Sequence, residues 1–154
     1  MTETDSGTGK VELSVPSDPR FMSVVRQVAS TVAQMAGFSG PEVNSLALAV
    51  DEACTNVIKH AYKQNYNQVM TLTCEMHPDR LLFRLRDFGQ KTDPALIKGR
   101  DLNHVRPGGL GVHFIRQIMD KVEYDIGPEV GTELRMTKFL KPTEPHGSQE
   151  ARIR

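Results

Sequence analysis

The feature that most restricts the fold is a change of hydrophobic period along the chain. Phe21, Val24, Val25, Val28, Val32, Met35 and Ala36 recur at spacings of three and four, which predicts an amphipathic helix, and Gly37 follows where a left-handed stop belongs. Ser39, Pro41 and Glu42 supply an N-cap, an early-turn proline and a capping-box acid for a second helix, expected to run to about Tyr62. Beyond the polar stretch from Lys63 to Gln68 the period falls to two. Val69 to Met76 and Leu81 to Arg86 are rich in β-formers and flank His77, Pro78, Asp79 and Arg80, which reads as a hairpin. Val122 to Ile126 and Thr132 to Phe139 alternate around a turn from Gly127 to Gly131, and Val11, Leu13 and Val15 mark a short strand before the first helix. Leu110 to Met119 returns to helical spacing. The segment between, Asp87 to Gly109, is poor in apolar residues and longer than an ordinary connection, so it is a candidate lid. The order β-α-α-β-β-lid-α-β-β predicts an α+β fold, with a mixed or largely antiparallel sheet and helices on one face.

The 154 residues suit one domain with its own core, expected at about Val11 to Leu140, with frayed tails at residues 1–10 and 141–154. Nineteen Lys and Arg balance nineteen Asp and Glu, which argues against a nucleic-acid or anionic-membrane partner. The two cysteines, Cys54 and Cys74, form neither a CxxC pair nor a compact zinc pattern with His60 and His77, so zinc is rejected and buried structural thiols are expected. No apolar run is long enough to span a membrane and the start is polar, so neither a spanning helix nor a signal peptide is expected, and the cytoplasm is the expected setting. The methionines fall on apolar faces and read as core filler.

On the second helix, Glu52, Asn56 and His60 follow at intervals of four and share one polar stripe. A carboxylate beside a carboxamide suits water or hydroxyl positioning and an oxygen ligand for Mg²⁺, whereas a plain solvated face explains the same spacing. Asp87 and Gly89 close a predicted strand, where an acid can accept from a base edge and glycine permits close approach; a simple turn needs the same residues. Arg106-Pro107-Gly108-Gly109-Leu110-Gly111 stands before a helix, whose free N–H groups and dipole favour phosphate, but it has neither the P-loop Lys-Ser/Thr ending nor the dinucleotide fingerprint. Gly131-Thr132 at the opening of the last strand is compatible with an ordinary turn. No GxSxG nucleophile signature occurs.

Taken in order, the run Asp51 to Tyr62, then Arg86-Asp87-Phe88-Gly89, then Gly108-Gly109-Leu110-Gly111, then Gly131-Thr132 resemble the N, G1 and G2 boxes and closing Gly-Thr of the histidine-kinase-like ATPase superfamily. The small size, the lack of a phospho-acceptor histidine domain and the run Gly109 to Asp120 resemble the anti-sigma-factor serine/threonine kinases of bacterial partner-switching systems. The resemblance covers about Val11 to Leu140. It implies a Bergerat-type two-layer sandwich with ATP held between helices and a lid. It further implies Glu52 as general base for the attacking hydroxyl, Asn56 as the Mg²⁺ ligand, Asp87 as acceptor for the adenine amino group, and Gly89 as the residue that lets adenine pack. Gly109, Leu110 and Gly111 would bring amides to the phosphates, and Thr132 would sit near adenine. Lys91 and Arg106 are candidate phosphate contacts, and His60 is left as a structural residue. The sequence departs from the superfamily at Phe88, where an acid is frequent, and after Gly89, where Gln90 and Lys91 stand in place of a second glycine.

The resemblance therefore implies a Mg-ATP-dependent protein serine/threonine kinase. Its expected partners are an antagonist protein that it phosphorylates and a sigma factor or other regulator that it sequesters. Homodimerisation is likewise implied by the family. Two alternatives stand beside it: a nucleotide-gated binding module that transfers no phosphate, and the ATPase domain of a split histidine kinase.

Overall fold

A computed structural model describes residues 8–90 and 109–141, with side chains left out at 109–112. Strand β1 (Gly9–Pro16) leads through a short 3-10 turn into helix α1 (Met22–Ala36) and then α2 (Gly40–Asn56), whose last turn is extended by five π-wound residues, Val57–Ala61. Strands β2 (Val69–Met76) and β3 (Arg80–Asp87) follow, then helix α3 (Gly109–Ile118) and strands β4 (Lys121–Asp125) and β5 (Thr132–Phe139). The five strands form one sheet in the order β1-β2-β3-β5-β4. Every pairing is antiparallel, so the α+β fold takes the largely antiparallel form of the sheet.

Local chemistry explains the helix ends. Gly37 stops α1 at φ 101°, a conformation that costs a side chain about 1–2 kcal/mol. The Ser39 hydroxyl accepts from the Glu42 amide at 3.4 Å and donates to the Glu42 carboxylate at 2.9 Å, which caps the start of α2. The helix expected to run to Tyr62 changes its winding after Asn56. The Tyr62 amide bonds the Val57 carbonyl at 3.0 Å, five residues back, because its side chain is tied elsewhere in the fold, as described below.

One face of the sheet is apolar. Along β3 every second residue is buried, Leu81, Phe83, Leu85 and Asp87, and this face packs with Met70, Leu72, Cys74, Leu134 and Met136 against Val25 and Ala29 of α1, Leu46 and Val50 of α2 and Ile115 of α3. At roughly 25 cal/mol per Å² of apolar surface, this layer is the main source of stability. The opposite face carries Arg84 between Glu75 and Glu133, at 3.0 and 3.3 Å, and Arg135 against Glu133 and Asp125. These partly exposed pairs set a polar surface and add little free energy.

Two expectations change: Met35 is 65% exposed rather than core filler, and β1 already includes Gly9 and Lys10. Within the expected strand, Val11 is exposed and Val15 is the buried apolar residue. Cys54 and Cys74 are buried and unpaired as expected, and burial pushes the Cys74 thiol up to about 12. No helix among the described residues is long and apolar enough to cross a membrane.

Candidate functional site

Helix α2 delivers the first half of the site. Asp51 is occupied by a 3.2 Å ion pair with Arg26 of α1, whereas the side chain of Glu52, one residue on, has no hydrogen-bond or ion-pair partner among the described residues. Asn56, one turn later, closes the regular part of the helix. Its Nδ2 is buried without a partner, a costly arrangement for an amide. A half-turn of the carboxamide exchanges nitrogen for oxygen, which presents an acceptor to a cation instead. His60 lies in the π-wound turn beyond and is exposed, so the shared stripe ends at Asn56.

The second half lies where β3 leaves the sheet. Asp87 is 4% exposed and faces Thr132 across the β3–β5 ladder. Its Oδ1 accepts the Gly89 amide at 3.0 Å. Burial raises the carboxyl above its ordinary value, opposed by the Gly89 amide, the Arg86 charge and the Thr132 amide. Thr132 is 2% exposed, and its Oγ1 has no partner, like Asn56 Nδ2. These are the two orphaned buried side-chain atoms of the described residues, one on each half of the site, and each would be satisfied by a polar ligand.

Two glycines make this end accessible to close packing. A Cβ on Gly89 would strike the Ala61 carbonyl oxygen and lie 2.7 Å from its carbon. Gly131, at φ 74°, would place a Cβ on the Asp87 carbonyl and 2.8 Å from Phe88 Cα. Arg86 braces the same turn, donating to the Asp87 carbonyl, to Val130 O at 2.7 Å and to Thr132 O at 3.4 Å, with its guanidinium 4.4 Å from the Phe88 ring centroid. From the helix side, the Tyr62 hydroxyl accepts the Phe88 amide at 2.8 Å and donates to Val69 O at 2.5 Å.

Gly109, Leu110 and Gly111 are the first three residues of α3, the positions whose amides lack intrahelical acceptors. Helix α3 packs along α2, which carries Glu52 and Asn56. Lys91 and Arg106, with most of the expected lid, lie outside the described residues. The structure thus joins Asp87, Gly89 and Thr132 directly, and docks their turn on the helical extension that follows Asn56. Sequence reasoning assigned no role to Tyr62 or Arg86. Both lie within the quoted motifs, but their partners are backbone groups that periodicity does not reveal.

The two-layer α+β sandwich thus carries an acid and a glycine at a strand exit and a Glu-x-x-x-Asn pair on a helix. Residues 15–138 match the family described as histidine kinase-like ATPase domain, and the chain belongs to it. Among curated relatives it is similar to the serine-protein kinase RsbW of Halalkalibacterium halodurans, 33% identical over 142 residues, with 87% of this chain and 85% of that protein covered. The serine-protein kinase RsbW of Bacillus subtilis is 32% identical, covering 84% and 85%, and that of Staphylococcus aureus strain JH9 is 30% identical, covering 91% and 92%. The fold also matches a crystal structure of the RsbU and RsbW domains of a Mycobacterium tuberculosis protein, with TM-score 0.63 and 12% identity, over 88% of this chain and 33% of that longer one. A histidine kinase domain from Erythrobacter litoralis aligns with TM-score 0.50 and 17% identity, over 80% and 61%.

Proposed function

We propose that this protein is an ATP-dependent serine/threonine kinase that phosphorylates a small antagonist protein and, in its other state, sequesters a sigma factor or another regulatory protein. The observation that carries this reading is the match over most of both chains to relatives named serine-protein kinase, at 30–33% identity. The site chemistry supports it. Phosphoryl transfer requires mainly positioning and charge neutralisation. Glu52, whose side chain has no partner among the described residues while Asp51 is occupied, is the base assigned to orient and deprotonate the attacking hydroxyl. Asn56 is the residue assigned to hold Mg²⁺, which, when bound, would neutralise charge on the phosphates. Oxygen donors from phosphate and water suit this ion.

Asp87, Gly89 and Thr132 are assigned to the adenine end and Gly109, Leu110 and Gly111 to the phosphates. Binding energy at the adenine end then holds the nucleotide while Glu52 faces the incoming hydroxyl. A new phosphate on the antagonist adds roughly two negative charges and disrupts its docking by repulsion and desolvation, which frees the kinase for its second partner. Cytoplasmic location and a homodimeric state complete this reading.

The purified chain, supplied with Mg-ATP and a candidate antagonist, is expected to place acid-stable phosphate on Ser or Thr. Glu52→Ala should abolish transfer, by at least about a hundredfold, with ATP affinity retained. Unchanged regulation of the partner by Glu52→Ala would point to a nucleotide-gated binder, and acid-labile phosphate on a partner would point to a histidine kinase.

A further inference from the structure

Beyond the last β3–β5 pair, Asp87 with Thr132, the Phe88 amide has left the ladder, and the Tyr62 hydroxyl takes its hydrogen at 2.8 Å. The same hydroxyl donates to Val69 O at 2.5 Å, so its rotor is fixed by one donor and one acceptor. One residue earlier, the Ala61 carbonyl accepts the Gln90 amide at 2.9 Å. Gly89 lies between, with its would-be Cβ 2.8 Å from Tyr62 Cδ1. Residues 61 and 62 therefore hold the turn on both sides of Gly89. The Gly89 amide is in turn the group that bonds Asp87 Oδ1 at 3.0 Å. Rotation of the peptide between Phe88 and Gly89 would release that carboxylate oxygen and change the direction in which the other points.

We infer that Tyr62 is a positioning residue for purine recognition, aiming the Asp87 carboxylate through the Phe88 and Gly89 peptides that its hydroxyl and ring hold in place. This rests on the reading of the site as an adenine-nucleotide pocket. Ring packing alone is preserved in Tyr62→Phe, so the inference is specific to the hydroxyl. Because Asp87 would accept from a 6-amino group, the loss falls on ligands that carry one. A purine with a 6-keto oxygen gains nothing from that carboxylate and has nothing to lose.

The test is a calorimetric titration of the full chain and its Tyr62→Phe variant with ATP and with inosine triphosphate, both with Mg²⁺. Kd for ATP is expected to rise about tenfold, the worth of one hydrogen bond to a buried amide, with Kd for inosine triphosphate changing less than about threefold. An equal loss for both nucleotides, or none for ATP, overturns the inference. A wild-type chain that fails to bind ATP, or does not prefer it to inosine triphosphate, defeats the adenine reading before any variant is made. Should Tyr62→Phe fail to fold, amide exchange in the unaltered chain decides. Saturating adenosine must slow Phe88 and Gly89 at least tenfold more than the amides of β1, and equal slowing overturns the inference.

Discussion

Gly131 lies with its α-carbon against the carbonyl of Asp87, so closely that a single added methyl group would overlap the Asp87 oxygen and approach its carbonyl carbon to 2.7 Å. The approach seats the turn before β5 on the exit of β3 and brings Thr132 opposite Asp87. Gly131→Ala meets two penalties, a left-handed φ of 74° and a backbone clash that no side-chain rotation relieves. Unfolding stability is expected to fall by at least about 2 kcal/mol, read from denaturant midpoints, with ATP affinity lost in whatever fraction remains folded. A substitution at Gly40, where a Cβ meets nothing within 4 Å, is the matched control and should cost far less.

Arg86 holds the same turn from the solvent face. Its guanidinium reaches the carbonyls of Asp87, Val130 and Thr132 at once and lies over the Phe88 ring, an arrangement that needs a planar fork. Arg86→Ala is expected to destabilise the protein by about 1–3 kcal/mol, by loss of charged hydrogen bonds and the cation–π contact. Arg86→Lys should recover less than half of that, because one ammonium cannot serve three carbonyls and the ring. Thermal unfolding of the three proteins in one buffer checks the order. Full recovery by lysine would show that charge alone matters there.

The fold was legible because its elements announce themselves locally. The N-cap at Ser39 and Glu42, the Gly37 stop and the alternation in β2 and β3 all depend on residues within a few positions of one another. The end of α2 was not. The π-wound turn follows from Tyr62 being held by Val69 and by Phe88, the latter 26 residues away, and Arg86 is fixed by Val130, 44 residues away. Such backbone partners leave no periodic trace in a sequence. Met35 illustrates the converse, an apolar residue at helical spacing that lies just outside the buried stripe of α1. The candidate site residues stand out as an ordered set of motifs, whereas the orphaned atoms of Asn56 and Thr132 emerge only with the packing around them.

Asp87 should make stability depend on pH. Burial raises its carboxyl above the ordinary 3.8, so between that value and the raised one the folded chain binds more protons than the unfolded chain. Stability contributed by this group therefore falls as pH rises through that window and stays lost above it. Asp87→Asn removes the titration and keeps an acceptor oxygen for the Gly89 amide. The stability of the variant relative to wild type is expected to grow as pH rises through the carboxylate range and then level off, in urea midpoints taken at several pH values without nucleotide. ATP affinity should fall at least about tenfold in the same variant, since a neutral amide is a weaker acceptor than a carboxylate. A variant equally displaced from wild type at every pH would mean that Asp87 titrates normally in the folded chain.

Asn56 presents the same opposition between stability and binding. Its buried Nδ2 has no partner among the described residues, so the fold carries an uncompensated desolvation of about 1–3 kcal/mol. Asn56→Leu keeps the branched outline, with two bulkier methyl groups, and removes that polar group. The variant is expected to be at least as stable as wild type without ligand, against the usual trend that substitutions in a packed interior destabilise. Its ATP affinity should no longer respond to Mg²⁺, because the oxygen donor has gone, whereas Asn56→Asp should retain the response. Calorimetric titrations with Mg²⁺ and with chelator, set beside thermal unfolding of the same samples, separate the two effects. If Asn56→Leu binds ATP with an undiminished Mg²⁺ dependence, the metal is held by other groups. If it is instead strongly destabilised, the carboxamide is satisfied within the fold and its role is structural.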